Sequence, residues 1–210
     1  MRTAHREPGD GGLGSTALTE DNVASTERPA GSAPGDAAER SSSTARAIEL
    51  VAAADALVAE VLSPGRWPQA RTVDRFFKGD RLERVLALYG RAIRLDPEEP
   101  AYPWNLAALL RRLGLNELAL GYLERAIRVA REVGDKEWSD ASAYLALAEA
   151  AAASRHDDVA VVALARAKSM QPSDPAIDRQ VARLLRSLKR SRNGDDPVRT
   201  LTAELARLSA

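Results

Sequence analysis

With 210 residues and 45% hydrophobic content, the chain can bury a core, and one domain or at most two are expected. Thirty basic and thirty acidic side chains cancel, which excludes a global attraction to nucleic acid or to an anionic membrane and leaves only local ones. There is no cysteine, so disulfides, thiolate metal sites and a cysteine nucleophile are excluded, and a reducing compartment fits.

Residues 1–45 hold only Met1, Leu13, Leu18 and Val23 as large apolar side chains, scattered among Gly, Ser, Pro, Thr and charges. So little burial cannot offset the entropy of ordering, and the segment reads as a disordered, net acidic N-terminal arm. Its run Gly9-Asp10-Gly11-Gly12-Leu13-Gly14 spells GxGxxG, but no strand precedes it and no helix follows, so a phosphate cradle has no scaffold. The run Ser41-Ser42-Ser43 reads as flexible linker. The opening MRTAHREPGDGGLG lacks the apolar core of a signal peptide, and no later stretch approaches the roughly eighteen apolar residues of a membrane span. A soluble, cytoplasmic protein is expected.

From Ala47 the pattern turns to helical periodicity, with strong helix formers and almost no β-branched alternation, which predicts an all-α domain. A first helix over Ala47–Leu62 carries Val51, Val58, Val61 and Leu62 on one face and stops at Ser63-Pro64-Gly65. Arg66 to Gly79, with Trp67, Val73, Phe76 and Phe77, is the least regular segment and is assigned a short helix. Arg81–Leu95 then sets Leu82, Val85, Leu86, Tyr89 and Ile93 in a clear amphipathic stripe, ended by Asp96-Pro97. Further helices follow over Tyr102–Leu113, Asn116–Glu132, Ser139–Ala153, Asp157–Met170 and Ala176–Arg190. A last one starts at Asp196-Pro197, where Asp caps and Pro suits the first turn.

Aligning Pro97 with Pro172 brings two segments into one frame. Asn105-Leu106-Ala107, Leu110, Ala119, Leu123 and Ala126 match Ala146-Leu147-Ala148, Ala151, Ala160, Leu164 and Ala167, and the same frame collects Val85, Tyr89 and Ala92 upstream. This pattern resembles the tetratricopeptide repeat, a helix-turn-helix unit of about 34 residues in which small residues let paired helices approach and larger ones fill the gaps. The resemblance runs from about residue 80 to 174, with weaker support back to residue 47. It implies an α-solenoid of about three repeats with C-terminal capping helices. The domain plan is then a disordered arm over 1–45, a repeat domain with its capping helix over 46–190, and a C-terminal helix over 191–210. The middle unit departs from the pattern: Pro103-Trp104 opens it, Arg131 stands where a proline closes the others, and EVGDKEWSD lengthens it.

The resemblance further implies a concave groove lined by the first helix of each unit. Its candidate ligand-facing positions are Ala101, Trp104, Asn105, Ala108, Arg111 and Arg112 from one unit, with Ser142, Leu145, Glu149 and Ala152 from the next. Trp104 sits beside the usual core aromatic position, and reads either as an intramolecular packing residue or as a binding anchor. Asn105 coincides with the asparagine that chaperone-binding members of the family use against a C-terminal carboxylate. Ser142 and Ala146 replace the lysine and arginine of that clamp, so tight capture of chaperone tails is not expected.

In the helix after the last repeat, Ile177, Val181, Leu184, Leu185 and Leu188 form a stripe that caps the stack. Arg179, Arg183, Arg186 and Arg190 form an opposite stripe, read either as a solvated face or as a contact for phosphate or an acidic protein. In the final helix Val198, Leu201, Leu205 and Leu208 offer a short seam that docks on the stack or on a second chain. His5 and His156 stand far apart with no third ligand nearby, and no GK[ST] phosphate loop occurs, so no metal site, cofactor site or catalytic constellation is assembled. The expectation is a non-catalytic scaffold that binds a protein or peptide in its groove without a cofactor. The alternative is a nucleic-acid-associated accessory protein acting through the basic helix.

Overall fold

A computed structural model describes residues 34–62, 80–191 and 196–209. Most of the expected arm, and the short helix assigned to Arg66–Gly79, lie outside the described residues. Within them are eight helices and no strand: α1 (Pro34–Leu62), α2 (Arg81–Leu95), α3 (Ala101–Arg112), α4 (Asn116–Val133), α5 (Ala141–Ala153), α6 (Asp157–Met170), α7 (Pro175–Ser191) and α8 (Pro197–Ser209). The bounds of α2 and α6 are those the sequence predicts, and the others agree within two residues, apart from the start of α1.

The helices pack in sequence-adjacent pairs, α1 on α2, α3 on α4 and α5 on α6. The second pair meets the third through α4 and α5, and α7 then rests on α5 and α6. The shared frame forms the core. Ala107, Ala119, Ala126, Ala148, Ala160 and Ala167 are fully buried, and their missing bulk lets backbones approach. Leu106, Leu110, Leu123 and Leu164 fill the remaining space at 1% exposure or less, each contributing about 1.5–3 kcal/mol by leaving water. Val85, Tyr89 and Ala92 continue the frame into α2 and are likewise buried.

The same turn closes the first helix of both inner pairs. The N–H of Leu115 donates to the carbonyl of Leu110, and that of His156 to Ala151, both at 2.9 Å, with a left-handed residue between helix and return strand of chain. That residue is Gly114 (φ +77°) in one turn and Arg155 (φ +66°) in the other. Glycine adopts this conformation freely; arginine does so against the clash of its Cβ.

The lengthened middle unit is accommodated as the sequence implies. Helix α4 runs 18 residues against 14 for α6, and Gly134 (φ +77°) ends it. The following loop carries Trp138 to the cap of α5, where the N–H of Ala143 donates to Asp140 Oδ1 at 2.9 Å. At the far end, α8 docks in cis, burying Leu201 against the stack through α6, while the N–H of Val198 donates to Asp196 Oδ1 at 3.0 Å.

One boundary is corrected. Residues 34–45, read from sequence as part of a disordered arm, are the first turns of α1. Glu39 and Arg40 accept hydrogen bonds from Ser43 Oγ, and Thr44 Oγ1 donates to Asp96 Oδ2 at 3.0 Å, so the extension is tied to the end of α2. Adding turns to a helix already nucleated and packed is far less demanding than starting one, which is why poor apolar content did not prevent it. The buried side of α1 also shifts, to Ala47, Ala54 and Val58, with Val51 half-buried.

Candidate binding groove

Helices α3 and α5 commit Leu106, Ala107, Leu110, Leu147, Ala148 and Ala151 to the core, which leaves the opposite flank of each for contacts outside it. On α3 that flank presents Asn105, exposed, with Ala101, Ala108, Arg111 and Arg112 half-buried. On α5 it presents Ser142, exposed, and Glu149 and Ala152, half-buried.

Glu149 is the centre of the arrangement. Arg111 Nη2 from α3 donates to its Oε2 at 2.6 Å, and Arg183 Nη2 from α7 donates to its Oε1 at 2.6 Å. One carboxylate therefore joins three helices, α3, α5 and α7, and two guanidiniums share a single negative charge. Ala108, Arg111, Arg112 and Glu149, with Asn116 and Ala153, border an open depression of about 740 Å³. Four of the residues expected in the groove are thus brought together.

The others are not. Trp104 packs on Trp138 from the loop before α5, with ring centroids 5.2 Å apart and planes tilted by 57°, which takes the intramolecular side of its two readings while leaving the ring half-exposed. Ser142 Oγ donates to the capping carboxylate of Asp140 at 2.7 Å, away from the depression. Leu145 is corrected outright: at 4% exposure it belongs to the core, because the rotation of α5 about its axis turns this position inward against the stack. Of the basic stripe, Arg179, Arg183, Arg186 and Arg190 are all exposed, yet it is not a purely solvated face, since Arg183 reaches back to Glu149.

His156 begins the turn into α6 and lies 2.9 Å from Glu117 Oε2. The hydrogen bond to that carboxylate, followed by its charge, raises the imidazole above its ordinary value. No cluster of three or more His, Cys, Asp or Glu side chains suited to a metal ion occurs among the described residues.

Sequence reasoning missed Trp138 as the partner of Trp104, and missed the Glu149–Arg183 bridge. The bridge had a signal: its residues stand 34 positions apart, one repeat length, so opposite charges recur at one place in the frame. Trp138 had none, because a loop residue has no periodicity to place it.

Stacked helix pairs with a capping helix, and a polar flank left along the first helices, define a helical-repeat protein. Residues 99–173 match the tetratricopeptide repeat family model. The TPR repeat-containing thioredoxin TTL4 of Arabidopsis thaliana is 44% identical over 79 residues, which is 38% of this chain and 11% of that relative's length. Among solved structures, the N-terminal domain of stress-induced protein-1 from C. elegans has a TM-score of 0.44 at 23% identity, covering 62% of this chain and 95% of that one. The first TPR of Spaghetti, bound to the HSP90 peptide SRMEEVD, has a TM-score of 0.44 at 17% identity, covering 70% of this chain and 95% of that one. No described helix is long and apolar enough to cross a membrane.

Proposed function

We propose that this protein is a non-catalytic scaffold that docks a peptide or protein partner on the flank of α3 and α5, in the cytoplasm. The observation that carries the reading is the division of labour on these helices. One side of each is committed to stacking, while the other gathers Ala108, Arg111, Arg112 and Glu149 around an open depression, with Asn105 exposed on the same flank of α3. Such a surface offers hydrogen bonds and charge on a rigid, preformed backbone, which suits docking of an extended or helical segment. Trp104, half-exposed beside Asn105 on the same helix and supported by Trp138, supplies an aromatic anchor at the edge of this face.

The test is affinity capture from native lysate, with and without nuclease and at two salt concentrations, comparing wild type with Trp104→Ala/Asn105→Ala. A specific protein recovered by wild type and lost in the double variant supports the reading. Recovery that survives the substitutions, or that nuclease abolishes, refutes it; the second result would favour phosphate contact through α7.

A further inference from the structure

The basic stripe of α7 gains a meaning when the surface is followed from one first helix to the next. The 740 Å³ depression at the end of α3 is bordered by Arg111 and Arg112 and reaches Ala153 on α5. Ala153 also borders a second depression of about 450 Å³, which Arg155 and Arg190 flank. Arg190 in turn borders a third, of about 410 Å³, with Arg183, Arg186 and Lys189. Each hollow shares a wall residue with the next, so they form one continuous track along the C-terminal ends of α3, α5 and α7. Seven cations line it with one carboxylate, Glu149, and Asp196 meets Lys189 at 3.6 Å from outside the lining. In a chain whose charges cancel overall, this is a strong local concentration.

From this we infer that the track binds an acidic, extended peptide segment of a partner protein, its carboxylates alternating with small residues. The inference rests on the scaffold reading and names the partner's chemistry. Guanidiniums pair with carboxylates through two parallel hydrogen bonds, and Arg111, Arg112, Lys189 and Arg190 stand in the last turns of their helices, where the partial negative charge of the C-terminus favours a cation. Neighbouring helices lie about 8–10 Å apart, so crossing from α3 over α5 to α7 covers about 20 Å, which about six or seven extended residues span. Between the cations the floor is small and apolar, Ala108, Ala152 and Ala153, which fits small side chains between the acids. Two features favour a peptide over a nucleic acid. Glu149 interrupts the track with a negative charge that a continuous phosphate backbone would meet, and none of the three hollows is bordered by an aromatic ring on which bases stack.

The test uses the full chain and a fluorescein-labelled peptide of alternating Glu and Ala, about twelve residues long, acetylated and amidated so that no chain-end carboxylate contributes. Fluorescence anisotropy is read for wild type, Arg186→Glu/Arg190→Glu, and Arg94→Glu on the distant helix α2, each checked for unchanged thermal unfolding. The expected result is saturable binding by wild type and Arg94→Glu, at least tenfold weaker binding by the double variant, and none to the Gln/Ala version of the peptide. Binding that is absent, or indifferent to Arg186 and Arg190, overturns the inference, as does tighter binding of a single-stranded RNA of equal length. Should the captured partner be lost with Trp104→Ala/Asn105→Ala but kept with Arg186→Glu/Arg190→Glu, the scaffold reading stands and the acidic track falls.

Discussion

The hydrogen bond between Tyr89 and Asp55 ties α1 to α2 across the segment that separates them. Tyr89 is fully buried and its hydroxyl donates to Asp55 Oδ1 at 2.5 Å. Burial first, then this bond and the carboxylate's charge, push the phenol well above its ordinary range, so it stays a donor throughout the physiological pH span. Tyr89→Phe keeps the ring and removes the donor. A hydrogen bond to a charged partner contributes about 1.5–3 kcal/mol, and because Asp55 is half-buried, water recovers part of it, placing the loss near 1.5 kcal/mol. Asp55→Ala strands a buried hydroxyl, at a cost of about 1–3 kcal/mol. With both changed, neither orphan remains, so the double variant should lose less than the sum, with a coupling of about 1–2 kcal/mol. Urea unfolding of the four proteins, followed by far-ultraviolet circular dichroism at 25 °C, measures the cycle. Additivity within about 0.3 kcal/mol would refute the reasoning, because pairs that do not interact add to about that precision.

Two further predictions follow from the turns. Gly114→Ala places a methyl where no atom lies within 4 Å, so the change reads the left-handed backbone alone and should destabilise by about 1 kcal/mol. Arg155→Gly relieves the same conformation in the next repeat and should stabilise by up to about 1 kcal/mol, less whatever its side-chain contacts contribute; thermal unfolding of both variants decides the signs. The His156–Glu117 pair sets a pH dependence. Because the folded imidazole is raised above 6.5, its contribution is fully present below that value and is lost as pH rises through the folded titration. Titration of the ring by proton NMR should show the raised value returning toward 6.5 in Glu117→Gln; an unchanged value would remove Glu117 as the cause.

Much of the fold was legible because helical repeats write themselves twice. Ala119 with Ala160, and Leu123 with Leu164, recur in one frame and are all buried at 1% exposure or less. A position that must touch a neighbouring helix at every turn tolerates few side chains, and repetition exposes that demand. The candidate site was legible only in part. Arg111, Arg112, Ala108 and Glu149 meet as expected, but Leu145 turned inward and Trp104 found Trp138, because rotation of a helix about its axis by a few tens of degrees separates core from surface. The start of α1 escaped because composition measures what a segment can bury alone, whereas Thr44 is held by Asp96 some fifty positions later.

By itself, then, the sequence determined the class of fold, the helix boundaries from α2 onward and the residues that stack the repeats. All of these follow from local periodicity and from punctuation by Pro, Gly and Asp. Only the tertiary structure decided that one carboxylate would join three helices, that α8 would close on α6, and that arginines from α3, from α7 and from the turn after α5 would share one edge. Charge carries no period, and its meaning depends on which other charges the packed backbone brings within reach.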